Sequence, residues 1–243
     1  MSDKVLSIVI PAYNEERFIG TLLERIRAVD LASQGLGGEV VVVDDCSVDR
    51  TAEIAAGVPG VTLVSHEQNG GKGRAVRTGL SRATGDYIII QDADLEYDPA
   101  DYLPMLTSLL AGDADAVYGS RYLPYPGRGA LANLLHGKHP DQGLWAYLGG
   151  QSLSIVCLFF TGCYLTDTVT ALKLFRAEDI KTLALRTTGF ELDHEITAKL
   201  LARGRSIGEV PIRYFPRSRA EGKKIGLRDW FIAVRTFARY RRG

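Results

Sequence analysis

Tyr87-Ile88-Ile89-Ile90-Gln91-Asp92-Ala93-Asp94-Leu95-Glu96 couples a wholly apolar run to two acids spaced i and i+2. Side chains alternate along an extended backbone, so Asp92 and Asp94 project from the same side just where a buried strand ends. Hard divalent cations take oxygen ligands, and Mg²⁺ is usually held by one or two carboxylates while phosphates and water complete its shell. The stretch therefore predicts a strand whose end can carry Mg²⁺ or Mn²⁺ with a diphosphate, the leaving group of a nucleotide sugar. Asp94 is the expected direct ligand, Asp92 is assigned to the metal or a ribose, and Glu96 adds a ligand through water. A lone Asp-x-Asp is equally an ordinary polar strand exit, so the weight rests on what else ends at the same edge.

Working outward, the chain alternates strands and helices. Val5 to Ile10 is an apolar strand ended by Pro11, and Asn14-Glu15-Glu16 opens a helix whose Phe18, Ile19, Leu22, Leu23 and Ile26 recur at helical spacing. Val40 to Val43 is a β-branched strand stopping at Asp44-Asp45, followed by a helix capped by Ser47 or Asp49. Val61 to Val64 predicts a third strand, Gly73 to Ala83 a helix, and Tyr87 to Ile90 a fourth strand. Continuous rather than alternating apolar strands indicate an α/β protein with a parallel sheet covered on both faces. In such sheets ligands sit beyond the carboxyl ends of the strands. The acidic and glycine-rich motifs all fall there. With no repeat or low-complexity linker, one domain in two parts is expected: residues 1–111 for the nucleotide sugar, 112–227 for the acceptor and a lid, and a basic amphipathic helix over 228–243.

The composition is that of an ordinary globular chain: 243 residues, 46% hydrophobic and 24% charged, with formal net charge zero. Neutrality gives no global field to attract nucleic acid. Cys46, Cys157 and Cys163 form no C-x-x-C pair and are odd in number, which fits a reducing cytosol and buried thiols better than a disulfide framework. The N-terminus lacks the basic and apolar segments of a secretory signal. His66, His136, His139 and His194 lack the spacing of a zinc site. His194, between Asp193 and Glu195, reads as a surface helix position that could also lie near the site.

Ser7-Ile8-Val9-Ile10-Pro11-Ala12-Tyr13-Asn14-Glu15-Glu16, Glu39 to Thr51 with its Asp44-Asp45-Cys46-Ser47, Asn69-Gly70-Gly71-Lys72-Gly73-Arg74-Ala75 and the Asp-x-Asp occur in that order. Together they closely resemble the family 2 glycosyltransferases of the GT-A fold. Tyr118-Gly119-Ser120-Arg121-Tyr122, Thr166 to Arg176 and Glu221-Gly222-Lys223-Lys224-Ile225 look like the dolichyl-phosphate mannose synthase branch and its bacterial polyprenyl-phosphate relatives. The resemblance runs from about Val5 to Leu227. It implies a Rossmann-like sheet with an acceptor-side subdomain and an inverting, metal-dependent transfer from GDP-mannose or a UDP-hexose. The implied acceptor is a polyprenyl phosphate at the cytoplasmic face of a membrane.

Within that frame Pro11, Ala12, Tyr13 and Glu15 can hold a base or ribose by a fixed backbone and stacking. Asp44 is placed to accept from a nucleobase N–H, as the resemblance also implies, and Asp45 is expected to cap the next helix. The family usually has glycine where this chain has Cys46, a departure expected to alter the turn more than the chemistry. Gly70-Gly71-Lys72-Gly73 lets backbone approach a phosphate at a helix N-terminus, with Lys72 adding charge. Its spacing is not that of a Walker A loop. Arg121, Arg128 and the cluster Arg217, Arg219, Lys223, Lys224 can serve the acceptor phosphate and the leaving diphosphate. The cluster follows a strand at Val210 to Phe215, as a mobile lid would, and the resemblance makes it a loop closing over the nucleotide. Lys181 and Arg205 read as solvated charges. By its match to the family motif Asp167 is the candidate general base for a hydroxyl acceptor, and Glu191 in Gly-Phe-Glu is expected to face the site.

Gln151 to Thr166 and the tail from Trp230 to Arg242 are the candidates for peripheral membrane contact. The apolar run is shorter than the roughly 20 residues that cross a bilayer. In the tail Trp230, Val234, Phe237 and Arg241 recur at helical spacing beside Arg235, Arg239 and Arg242, which suits either an interfacial helix or a core-packing helix with a basic outer face. A hydroxyl acceptor on a saccharide or small natural product is the alternative within the enzyme class. A nucleotidyltransferase needs a glycine-rich loop after its first strand, where this chain has Pro-Ala-Tyr-Asn-Glu-Glu. A silent membrane-binding relative would be expected to have lost the Asp-x-Asp or the cationic lid.

Overall fold

A computed structural model describes residues 4–124, 144–215 and 226–242. Strands β1 (Lys4–Ala12), β2 (Leu36–Asp44), β3 (Val61–Ser65) and β4 (Tyr87–Ile90) alternate with helices α1 (Ile19–Arg27), α2 (Thr51–Ala56) and α3 (Lys72–Arg82). Then come α4 (Tyr102–Ala111), β5 (Ala116–Ser120), α5 (Leu144–Thr161), β6 (Lys173–Arg176), α6 (Ala177–Lys181), α7 (Leu192–Ala202), β7 (Ile207–Pro211) and α8 (Leu227–Tyr240). All four expected strands of the first half form, β4 with the expected bounds and β1, β2 and β3 extended because backbone pairing continues past the apolar run; the strand expected at Val210 to Phe215 instead runs Ile207–Pro211 as β7.

The sheet has seven strands in the order β3-β2-β1-β4-β6-β5-β7. β1 pairs in parallel with both β2 and β4, so the winding reverses at the β1/β4 boundary, where α/β sheets bind ligands. β6 runs antiparallel between β4 and β5. This one reversed strand sends the preceding segment, Asp167 to Leu172, to the edge at which β4 and β5 end.

Both faces of the sheet are covered. Leu6, Ile8 and Ile10 of β1 pack with Ile19, Leu22 and Leu23 of α1 and with Met105 and Leu106 of α4. On the other face Val9, Ile88 and Ile90 meet Val76 and Leu80 of α3, Ile196 of α7 and Phe237 of α8. A Cβ on Gly79 would come within 2.3 Å of a Val9 methyl carbon, so α3 lies against β1 at a separation only glycine allows.

Helix α7 is buried from Leu192 to Leu200 although five of those nine residues are Asp193, His194, Glu195, Thr197 and Lys199. Most of its polar groups are matched, with Glu195 pairing with Lys199 at 2.6 Å and accepting from the Arg186 and Thr187 backbone N–H groups, while His194 Nδ1 has no hydrogen-bond partner among the described residues. His194 is not a surface residue. It is 6% exposed and its ring lies 5.1 Å from that of Phe237. The tail helix α8 buries Ala233, Thr236, Phe237 and Tyr240, while Trp230 donates from Nε1 to Ser152 Oγ of α5 at 2.8 Å. Its core stripe is therefore turned by one residue from the Trp230, Val234, Arg241 spacing, and Arg235 and Arg239 face outward. The cysteines are free; Cys157 is buried and Cys46 and Cys163 half-buried.

Burial holds the His194 imidazole down at about 4, against an ordinary 6.5. The unfolded chain then takes up a proton that the folded chain refuses, so stability is lost as pH falls through that window, by on the order of 3 kcal/mol. His194→Leu is expected to flatten this acid-side decline, read as urea midpoints compared at about pH 7 and about pH 4.5. An unchanged slope in the variant would assign the decline to other groups.

Candidate active site

The loops leaving β1, β2 and β4 each contain one non-glycine residue in the left-handed backbone region: Asn14 (φ 56°), Cys46 (φ 65°) and Leu95 (φ 59°). Such conformations cost on the order of 1–3 kcal/mol each and persist where surrounding contacts enforce them. Here the contacts are explicit. Asn14 N–H donates to Ser47 Oγ at 2.9 Å, Val48 N–H to Asn14 Oδ1 at 2.9 Å, and Glu15 N–H to Thr51 Oγ1 at 2.8 Å. The first two loops are thereby stitched into one wall. Cys46 holds a left-handed turn that glycine would adopt without strain. Tyr13 is exposed on this wall, and Ala12 and Asp44 are buried side by side in the β1/β2 register. Asp44 accepts weakly from Ser47 N–H at 3.3 Å.

Asp45 does not cap α2; Asp49 fills that place, accepting from Thr51 N–H at 2.9 Å. The Asp45 carboxylate instead accepts from Gly70 N–H at 3.0 Å and Gly71 N–H at 2.7 Å, and meets His66 Nδ1 at 2.7 Å. His66 Nε2 in turn lies 2.9 Å from Thr78 Oγ1 of α3. Asp45 thus fixes the glycine turn from below, a role hidden from the sequence because its partners lie 21 to 26 residues away. A Cβ on Gly73 would approach the Thr188 backbone to 2.7 Å, so the start of α3 is wedged against residues 187–189.

From this turn Lys72 reaches into the site. Its ammonium lies 2.8 Å from Asp92 and 3.3 Å from Asp193 at the start of α7. Asp193 also pairs with Lys173 at 3.1 Å, and the fully buried Lys173 ammonium donates to the Thr170 carbonyl. The four charges form a continuous row, Asp92, Lys72, Asp193, Lys173, half-buried at the first two members and buried at the last two. Burial works against the Lys72 charge, yet Asp193 and Asp92 hold it above the ordinary lysine range. Lys173 has one carboxylate and a neighbouring lysine, so burial leaves it below its ordinary value. Asp193, rather than the expected Glu191, is the acid of this helix that meets the site. Glu191 turns back to accept from Gly189 N–H at 3.2 Å.

Asp94 is 8% exposed and accepts from Glu96 N–H at 3.1 Å, while Glu96 accepts from Tyr214 OH at 3.0 Å. Asp92 and Asp94 carry hard carboxylate oxygens of the kind Mg²⁺ or Mn²⁺ would accept, and since no three His, Cys, Asp or Glu side chains gather to hold a metal among the described residues, a cation here would have to share its shell with another ligand such as a diphosphate. On the acceptor side Arg121 and Asp167 form a bidentate pair at 2.6 and 2.7 Å, and Arg121 N–H adds a third bond to the same carboxylate at 3.1 Å. Asp167 is therefore committed to holding Arg121. The guanidinium also lies 5.0 Å from the Tyr214 ring centroid and 5.4 Å from that of Tyr122. Glu209, also unforeseen, fixes this segment by accepting from Thr166 and Asp167 N–H at 2.7 and 2.9 Å. Arg205 is ion-paired with Asp179 at 2.7 Å rather than simply solvated. Arg128, Arg217, Arg219, Lys223 and Lys224 lie outside the described residues.

A glycosyl transferase family 2 model matches residues 7–173. The chain belongs to glycosyltransferase family 2. Within that family it is 33% identical over 212 residues, 87% of this chain, to a low-salt glycan biosynthesis hexosyltransferase of Haloferax volcanii. It is 30% identical over 91% of its length to a dolichol-phosphate mannosyltransferase of Pyrococcus furiosus, and 27% over 93% to a UDP-N-acetylglucosamine–dolichyl-phosphate N-acetylglucosaminyltransferase of Methanococcus voltae. The chain spans 48% and 59% of the first two relatives and 92% of the third. Glucosyl-3-phosphoglycerate synthase of Mycobacterium tuberculosis, solved with Mn²⁺, UDP and glucosyl-3-phosphoglycerate, superposes with TM-score 0.64 at 23% identity over 90% of this chain and 74% of that one. The family 2 chain thus has the GT-A fold, and its relatives lie in the branch its motifs resemble.

Two stability measurements probe this geometry. Asp193→Asn strands the buried Lys173 ammonium and is expected to cost about 3–5 kcal/mol, whereas Lys173→Met leaves Asp193 paired with Lys72 and is expected to cost less than about 2 kcal/mol. Equal costs in urea unfolding would show that the row is not organised around Asp193. Cys46→Gly relieves the left-handed turn and should raise stability by up to about 1 kcal/mol in the same assay.

Proposed function

We propose that the protein moves a hexose from a nucleotide sugar, GDP-mannose or a UDP-hexose, to a polyprenyl phosphate, with inversion at the anomeric carbon. The observation that carries the acceptor side is the Arg121–Asp167 pair. A hydroxyl acceptor needs a base, and the carboxylate matched to the family's motif is already bound to three N–H donors of Arg121. A phosphate acceptor is already an anion and needs a fixed cation instead, which a clamped arginine provides. In this reading Asp167 positions Arg121, and Arg121 orients the attacking phosphate oxygen.

On the donor side the wall of Pro11, Ala12, Tyr13, Glu15 and Asp44 receives the nucleoside, and Lys72 stands beside Asp92 to meet the diphosphate. Asp94 with Asp92 would hold Mg²⁺ or Mn²⁺, with Glu96 reached through water; the cation neutralises charge on the departing diphosphate. Arg217 and Lys223, which lie outside the described residues, are assigned in this reading to the diphosphate by their charge alone. Residues 1–111 form the donor half and 112–227 the acceptor half of one transferase domain. The relatives named for dolichyl-phosphate transfer support the acceptor, and the UDP and Mn²⁺ bound by the mycobacterial synthase support the donor class.

Peripheral attachment to the cytoplasmic face of a membrane accompanies a lipid acceptor. Among the described residues no helix is long and apolar enough to cross a bilayer. Ile155 (63% exposed) and Phe159 (80%) on α5, with Phe231 on α8, offer apolar side chains to an interface.

A panel of nucleotide sugars with Mn²⁺ or Mg²⁺, with and without a short polyprenyl phosphate, tests this reading. The expected result is lipid-dependent release of one nucleoside diphosphate, reduced about 100-fold or more in Asp94→Asn. Release that depends on a saccharide hydroxyl and is indifferent to the lipid would replace the acceptor.

A further inference from the structure

The far end of α7 carries a second concentration of charge. A cavity of about 310 Å³ is lined by Ala184, Arg186, Lys199, Arg203, Arg239 and Tyr240. Arg203 follows Asp193 by ten residues along and just beyond α7, which at 1.5 Å per residue separates the cavity from the row of charges at Lys72 by about 15 Å. We propose that this cavity is a phosphate-binding site separate from the transfer site.

Four cations line it, and of these only Lys199 has a carboxylate, Glu195 at 2.6 Å. Arg186, Arg203 and Arg239 have no ion-pair partner among the described residues. Like charges gathered without counter-charge repel, and an anion relieves that cost.

The frame around them is fixed. Arg203 donates from both terminal nitrogens to Thr182, to its hydroxyl and its carbonyl, each at 2.8 Å. The Arg186 backbone is held by Glu195 through its N–H at 3.0 Å and by Arg77 through its carbonyl at 2.9 Å. Lys199 lies 4.4 Å and the Arg239 guanidinium 5.4 Å from the centroid of the buried Tyr240 ring. Several guanidinium forks around one cavity match the multiple acceptor oxygens of a phosphate better than the two of a carboxylate. Arg203 also borders a neighbouring mixed-charge cavity, where Asp179 is taken by Arg205.

The phosphate can be free or can be the headgroup of a lipid. Arg241, next to the lining residue Tyr240, lies 6.0 Å from the Phe160 ring, beside the exposed Phe159 of α5. The proposal stands apart from the transfer site, because none of the lining residues is among those assigned to the nucleotide, the cation or the acceptor phosphate.

The test is binding of inorganic phosphate by calorimetry and, separately, of phosphatidylcholine vesicles with and without phosphatidylglycerol by co-sedimentation. Arg186→Ala/Arg239→Ala is compared with wild type and with Arg25→Ala/Arg27→Ala, which removes the same charge from α1 on the opposite face of the sheet. The cavity variant is expected to lose about fivefold in affinity per arginine, while the α1 variant binds as wild type. Loss in the phosphate arm identifies a free anion, and loss confined to phosphatidylglycerol vesicles identifies a headgroup; either supports the site. Equal loss in both variants, or no binding in either arm, overturns it.

Discussion

The Lys72 ammonium is shared between a carboxylate of the first half of the chain, Asp92, and one of the second half, Asp193. Much of the site's order depends on this bond. Lys72 can reach both only because the glycine turn before α3 is held by Asp45 and pressed against residues 187–189. Asp193 can be buried there only because Lys173 takes its other oxygen. Lys173 in turn holds the Thr170 carbonyl, and so the segment from which Asp167 clamps Arg121. A charge row of zero net sign thereby ties the loop after β4 and the start of α3 to the start of α7 and the segment before β6. Removing Asp193 costs far more than the pair's net worth, because it strands the Lys173 ammonium in a dry environment.

The left-handed residues at Asn14, Cys46 and Leu95 belong to the same logic. The three loops beyond the sheet each make a turn at a residue other than glycine, and between the loops after β1 and β2 the strain is offset by bonds that also fix the wall where a ligand would stack. Rigid walls and a preset cation are what an enzyme needs when its chemistry is positioning and electrostatic stabilisation of a departing anion.

The first half of the fold was legible because its signals are local. β1, β2 and β4 carry apolar runs buried on both faces, β3 is a mostly apolar strand at the half-exposed sheet edge, and Pro11, Asp44 and Asp92 mark the ends of the buried runs. The second half hides its signals. Lys173-Leu-Phe-Arg176 is too short to reveal that β6 runs against its neighbours. Helix α7 reads as polar since the pairing of Asp193 with Lys173 and of Glu195 with Lys199 is a matter of space, not of pattern. Asp45 was misread as a cap because a carboxylate after a strand serves either purpose, and only the position of Gly70 and Gly71 decides. His194 was misread because charged neighbours on both sides conceal its contact with Phe237.

The central claim is that Asp94 holds the cation through which a nucleoside diphosphate is bound, with Arg121 and Asp167 serving the other substrate. Titration calorimetry of GDP and UDP into the protein, with and without Mn²⁺, measures it directly. The account predicts that one nucleotide binds only with Mn²⁺, that Asp94→Asn abolishes the binding, and that Asp167→Asn leaves it intact. Nucleotide binding that ignores the metal, or that survives in Asp94→Asn and fails in Asp167→Asn, would contradict it.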